Sequence, residues 1–146
     1  LLTQELSGVP GLILPTEPEG CTHNWYNYTV RFDMQALGQP ADPAAFRGKL
    51  LQALVAEGVP TGVWQHFILP AMTVFQAKNA YGRGCPWECP NAAPVDYSPS
   101  QFPVAQWHCD THTGMTYALR PPNGPELVRL VARAFRKVMA NARELA

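Results

Sequence analysis

Cys85 and Cys89, with His108-Cys109 and His112 downstream, are the side chains whose types could hold a metal, since thiolate and imidazole are the donors that zinc selects. Their spacing points elsewhere. Structural zinc pairs are usually separated by two residues in a tight knuckle, whereas rigid Pro86 and bulky Trp87 stand between these cysteines. Thr111, Thr113 and Gly114 also end the helix that would align His108 with His112. The cysteines therefore read as buried or incidental thiols, and a small zinc protein is kept only as a third reading.

Other chemistries find less support. There is no Gly-x-Ser-x-Gly elbow for a nucleophile, and Gly82-x-Gly84 is followed by proline, not by a helix with free amides that could cradle phosphate. Lys49 and Lys137 lie on the polar sides of predicted helices, and only Lys78 adjoins the glycine loop. A Schiff-base lysine needs burial or a nearby cation to lower its pKa, and nothing local to Lys78 supplies either. Arg120, before Pro121-Pro122, could bind a carboxylate or phosphate, or pair with a neighbouring acid. Two stretches look shaped for a site. Trp64-Gln65-His66 follow directly on Gly58-Val59-Pro60-Thr61-Gly62, a position that can aim side chains into a cleft; a core Trp64 with surface Gln65 and His66 is the competing reading. Asn79 to Trp87 crowds glycines, a proline and two aromatics into one loop, where Gly82 and Gly84 permit positive φ and Tyr81 and Trp87 offer flat surfaces.

The elements that must position these residues follow from patterning. Residues 1–7 read as the end of a helix stopped by Ser7-Gly8-Val9-Pro10-Gly11, and Leu12 to Leu14 as a short edge strand. Asn24 to Phe32 is rich in aromatic and β-branched residues and predicts a central strand. Asp42-Pro43 supplies an N-cap and first-turn proline for a helix with Phe46, Leu50, Leu51, Leu54 and Val55 at helical spacing, closed by Gly58. Val59 to Trp64 predicts a short strand, Ala71 to Lys78 a short helix, and residues 82–100 a long Pro/Gly-rich surface loop. Phe102 to His108 predicts another short helix and Thr113 to Leu119 a strand. From Glu126, Leu127, Leu130, Val131, Ala134, Phe135 and Val138 repeat at helical spacing opposite Arg129, Arg133, Arg136 and Lys137. The order predicts an α+β domain, a small mainly antiparallel sheet with helices packed on one face, spanning 1–146 as a single domain.

Composition bounds the function. The 11 basic residues balance 11 acidic ones, which argues against a nucleic-acid or polybasic membrane partner. No apolar run approaches the roughly 20 residues that span a bilayer. The opening Leu-Leu-Thr-Gln-Glu-Leu has neither an initiator Met nor a signal-peptide pattern and reads as part of something longer. Four scattered cysteines are too few for a disulfide framework, so reduced thiols and a cytoplasmic location are expected.

Taken together, Gly8-Val9-Pro10-Gly11-Leu12, the aromatic stretch 24–32 and Glu57-Gly58-Val59-Pro60-Thr61-Gly62 resemble the carboxy-terminal part of the DegT/StrS-type sugar aminotransferases, pyridoxal-phosphate enzymes of aspartate-aminotransferase fold. Trp64-Gln65, Pro70-Ala71, Tyr81-Gly82-x-Gly84-Cys85-Pro86-Trp87, Phe102-Pro103-Val104-Ala105 and Arg120-Pro121-Pro122-Asn123-Gly124 are similar to one branch of that family. The resemblance covers nearly the whole chain and rests on order and spacing. It implies transfer of an amino group from an amino-acid donor to a keto-sugar or keto-cyclitol. It also implies that the cofactor-bearing lysine and most phosphate ligands belong to a large domain preceding this region, and that the parent enzyme is a homodimer. On this view the small domain supplies one wall of the substrate cleft through Trp64, Gln65, His66 and Trp87, with no catalytic, cofactor or metal residue of its own. Many members carry a His-Tyr pair after the Thr-Gly; here Val63 is followed by Trp64-Gln65-His66-Phe67. A free-standing binding or regulatory module derived from the same fold is the alternative.

Overall fold

The computed structural model describes residues 1–38, 40–117 and 119–145. They form two compact units, a larger one comprising Leu1–Trp64 and Asp110–Ala146 and a smaller one comprising Gln65–Cys109.

In the larger unit, a short helix α1 (Leu2–Leu6) precedes the edge strand β1 (Leu12–Ile13) and the central strand β2 (Tyr28–Phe32). Helix α2 (Pro43–Ala56) follows, then β3 (His112–Met115) and the long helix α5 (Pro125–Ala140). The sheet is antiparallel in the order β1-β2-β3, with Leu12 opposite Phe32 and Val30 opposite Thr113. The architecture is α+β, as the order of patterns predicts. Alternation in β2 buries Tyr28, Val30 and Phe32, which join one apolar cluster with Leu2 and Leu6 of α1, Phe46, Leu50 and Leu54 of α2, and Val131, Phe135 and Val138 of α5. The Asp42 carboxylate accepts from the Ala45 amide at 2.9 Å, capping α2 where the sequence places its start.

Several predicted boundaries differ. Residues 24–27 do not join the strand, because local side chains take their amides: Trp25 N–H donates to His23 Nδ1 at 2.7 Å and Tyr26 N–H to Asn24 Oδ1 at 3.0 Å. Val59 to Trp64 forms a single bridge, Gly62 with Gly114, and no strand. Pro60 has no amide to give, and the Thr61 amide turns back to the Val59 carbonyl at 2.9 Å. Thr113 to Leu119 pairs only as far as Met115 and starts one residue earlier, at His112; Ala118 lies outside the described residues.

The smaller unit holds α3 (Thr73–Gln76) and most of α4 (Pro103–Thr111), which runs three residues beyond the predicted end at His108. The stretch between them is turn and loop, as expected, with one short 3-10 turn at Pro99–Gln101.

Candidate functional site

The turn after α2 builds an open groove in the larger unit. Gly58 takes φ +83 to close the helix, and Thr61 and Gly62 then run alongside β3. Gly62 and Gly114 exchange backbone hydrogen bonds of 3.1 and 2.8 Å. The Thr61 and Thr113 hydroxyls lie 2.6 Å apart. Whichever donates to the other, the second hydroxyl has a carbonyl within 3.1 Å to receive its proton, that of Gly62 or Gly114. Two hydroxyls thus pin the segment to the sheet edge. Gly114 is also the place where the Asn27 side chain crosses β3: a Cβ there would stand 2.8 Å from Asn27 Oδ1, so only glycine lets the amide sit so close.

The resulting groove, about 440 Å³, has Trp64 and Tyr117 as aromatic walls, Val55 and Pro60 as aliphatic surface, and Asn27 and Thr116 as polar groups. Trp64 is 61% exposed and Tyr117 81%, so both present flat faces to solvent. Thr116 Oγ1 donates to Asn27 Oδ1 at 3.4 Å. Trp64 stands edge-on to Tyr26, with ring centroids 6.3 Å apart. The Arg120 guanidinium in turn lies 5.2 Å from the Tyr26 ring centroid and donates to the Tyr26 carbonyl at 2.6 Å. Neither sequence reading of Arg120 describes this, because its partners are a ring and a carbonyl, not an acid. Such a surface suits a ligand with a flat or apolar face and a few hydroxyls, held by stacking and by an amide and hydroxyl edge.

The other expected cleft residues belong to the smaller unit. Gln65 turns back on its own loop, its amide donating to the Phe67 carbonyl at 2.7 Å, and His66 is exposed. Trp87 is half-buried against Phe75 and Tyr97, with centroids 6.1 and 6.2 Å away, and its indole N–H donates to the Tyr97 hydroxyl at 3.0 Å. That contact makes Trp87 part of a small aromatic core within its unit. Gln76 ties the same region together by donating to the Pro70 and Tyr97 carbonyls at 2.7 and 2.9 Å.

No protein-family model matches this chain, and no curated protein matches it.

The sequence does not single out Asn27, Thr116 and Tyr117, which line the groove, or Tyr26, which packs against Trp64 beside it. Tyr26 and Asn27 fall within the strand that the pattern of residues 24–32 predicts, and nothing in the spacing of Tyr117 distinguishes it from an ordinary strand residue. Only the glycine at 114, needed for Asn27 to cross, was a usable signal.

The residues do not fit pyridoxal phosphate as a resident group. Lys49, Lys78 and Lys137 are all exposed, and Lys137 is paired with Glu57 at 2.7 Å, so no lysine has the buried setting an imine-forming amine requires. Among the described residues no group of three or more His, Cys, Asp or Glu could hold a metal ion. No described helix is long and apolar enough to cross a membrane.

Proposed function

We propose that this chain is the small carboxy-terminal domain of a DegT/StrS-type, pyridoxal-phosphate-dependent aminotransferase, acting in the cytoplasm as one wall of a cleft for a keto-sugar or keto-cyclitol and an amino-acid donor. The observation that carries the reading is the Gly58–Gly62 turn. It brings the Thr-Gly step onto the sheet edge and puts Trp64 on an open groove, where a cleft wall is needed. The α+β layer of three antiparallel strands under α1, α2 and α5 supports the same assignment. Within it, this chain binds and orients: the Trp64 and Tyr117 faces stack on the substrate, and Asn27 and Thr116 meet its hydroxyls. The cofactor and the lysine that carries it are supplied by the large domain, whose partner in the assembly is a second copy of the enzyme.

A second reading keeps the fold and drops the chemistry. The groove is complete within one unit, which favours a free-standing binding or regulatory module.

One experiment separates them. The reading frame upstream of Leu1 is expected to encode a lysine-bearing large domain continuous with this chain; a frame that closes there would leave the binding module. Pyridoxal phosphate mixed with the isolated chain is expected to give no new visible absorbance from a lysine adduct. A stoichiometric adduct at Lys78 would overturn the division of labour.

A further inference from the structure

Cys85 and Cys89 lie sulfur to sulfur at 3.7 Å within one turn of the smaller unit. We propose that they are a dithiol modification site, oxidised by low-molecular-weight disulfides to a reversible Cys85–Cys89 disulfide. The two thiols are already in van der Waals contact, so reaching an S–S bond of about 2.05 Å needs a closure of only about 1.7 Å.

The backbone holds them there while they are reduced. Cys85 N–H donates to the Gly82 carbonyl at 3.1 Å, and the Cys85 carbonyl accepts from Ala80 and Tyr81 at 3.0 and 3.3 Å. Cys89 N–H donates to the Pro86 carbonyl at 3.3 Å, and the Cys89 carbonyl accepts from Ala92 at 2.9 Å. Between them Glu88 N–H reaches the Gly84 carbonyl at 3.0 Å, closing a helix-like turn. Gly82, Arg83 and Gly84 all take positive φ, of 86, 51 and 68, and a Cβ at Gly84 would collide with the Glu88 carboxyl. The left-handed run leads into the turn, and the Glu88–Gly84 and Cys89–Pro86 bonds bring position 89 back beside position 85. A preorganised neighbour thiol acts at high effective concentration, which is what favours ring closure over a lasting mixed disulfide.

Access and chemistry assign the order of events. Cys89 is exposed and Cys85 half-buried, whereas Cys109 is buried. The hydrogen bond shared with the Cys89 sulfur pushes the Cys85 thiol above its ordinary range, and the exposed Cys89 sulfur, open to an external disulfide, attacks first. The Cys89 thiolate attacks one sulfur of the external disulfide R–S–S–R; that S–S bond breaks and one thiolate leaves, taking up the proton Cys89 released. The Cys85 thiol then gives up its proton and its sulfur attacks Cys89; the second thiol leaves. The protein loses two electrons and two protons, and the external disulfide becomes two thiols. Excess thiol reverses both steps. Trp87 sits inside the closed ring, so the modification acts on the turn that carries the aromatic core of this unit.

The test uses the full chain, reduced and equilibrated with mixtures of oxidised and reduced glutathione, then quenched with acid and N-ethylmaleimide and mapped by mass spectrometry. The expected result is an intrachain 85–89 link, lost again on adding dithiothreitol, with the glutathione mixed disulfide below about a tenth of the oxidised protein. C85S is expected to stop at a mixed disulfide on the exposed Cys89, and C89S to stop at one on the half-buried Cys85 that forms more slowly. C21S should leave the link unchanged. A persistent mixed disulfide in the unsubstituted chain, alkylation of Cys85 and Cys89 at the rate of Cys21 under oxidising conditions, or crosslinking between molecules in place of the intrachain link would overturn the proposal.

Discussion

The two units are held together by different physics. In the larger, side chains from every helix and from β2 meet in one apolar cluster in which Phe32, Phe135, Leu50 and Leu54 are completely buried. In the smaller, Ile68 and Cys109 are the only buried apolar side chains, and order comes from the Phe75, Trp87 and Tyr97 rings and from Gln76 bridging two carbonyls. A unit that buries little apolar surface opens locally at low cost, whereas one built on a shared core opens only globally. The difference places rigid support beneath the Trp64 groove and leaves the Cys85–Cys89 turn on an adaptable scaffold.

The largest expected effect follows from the core. Phe135→Ala should destabilise the larger unit by about 3–5 kcal/mol, read as lost amide protection across α1, α2, β2 and α5. If the protection of α3 fell by as much and as cooperatively, the units would not be energetically distinct. Trp87→Ala comes next. Losing its ring contacts and its bond to Tyr97 should cost roughly 1–3 kcal/mol of local stability in the smaller unit, with protection of α2 and α5 unchanged. Uniform loss through both units would merge them.

The smallest expected difference is in pH dependence, with opposite signs for the two units. Burial pushes the Tyr28 phenol above its ordinary 10.0, against the weaker opposing pull of its hydrogen bond with Thr3. The fold therefore favours neutral Tyr28, and that contribution is whole below pH 10 and lost as pH rises through the raised value. In the smaller unit, bonds from the Ser98 hydroxyl and amide, at 2.6 and 2.8 Å, pull the exposed Asp96 carboxyl below 3.8. That contribution is present above 3.8 and lost as pH falls through the lowered value. Tyr28→Phe should flatten the alkaline limb seen by amides of the larger unit, and Asp96→Asn the acid limb seen by the smaller. Denaturation and exchange measured against pH distinguish them, and identical limbs before and after substitution would remove these residues as the cause.

Much of the fold was legible in the chain. The cap at Asp42, the stop at Gly58, the apolar stripe of the last helix and the central place of β2 all follow from local chemistry, because periodicity and capping act over a few residues. The site was less so. Trp64 emerges where the glycine turn suggested, but Asn27 and Tyr117, far away in sequence, meet it only because β3 pairs with β2 and Gly114 lets an amide cross. Trp87, expected on a cleft wall, stands half-buried against Phe75 and Tyr97, since a half-polar ring with a hydroxyl partner in reach gains from burial. Arg120 finds a carbonyl and a ring where charge alone suggested an acid.

Residue order thus decided which segments are helices and strands and which cysteines stand near one another along the backbone, through contacts spanning a turn or two. Tertiary structure decided which distant side chains line the Trp64 groove and whether a tryptophan faces solvent or a core, because those outcomes depend on strand register and on packing that no short stretch of sequence contains.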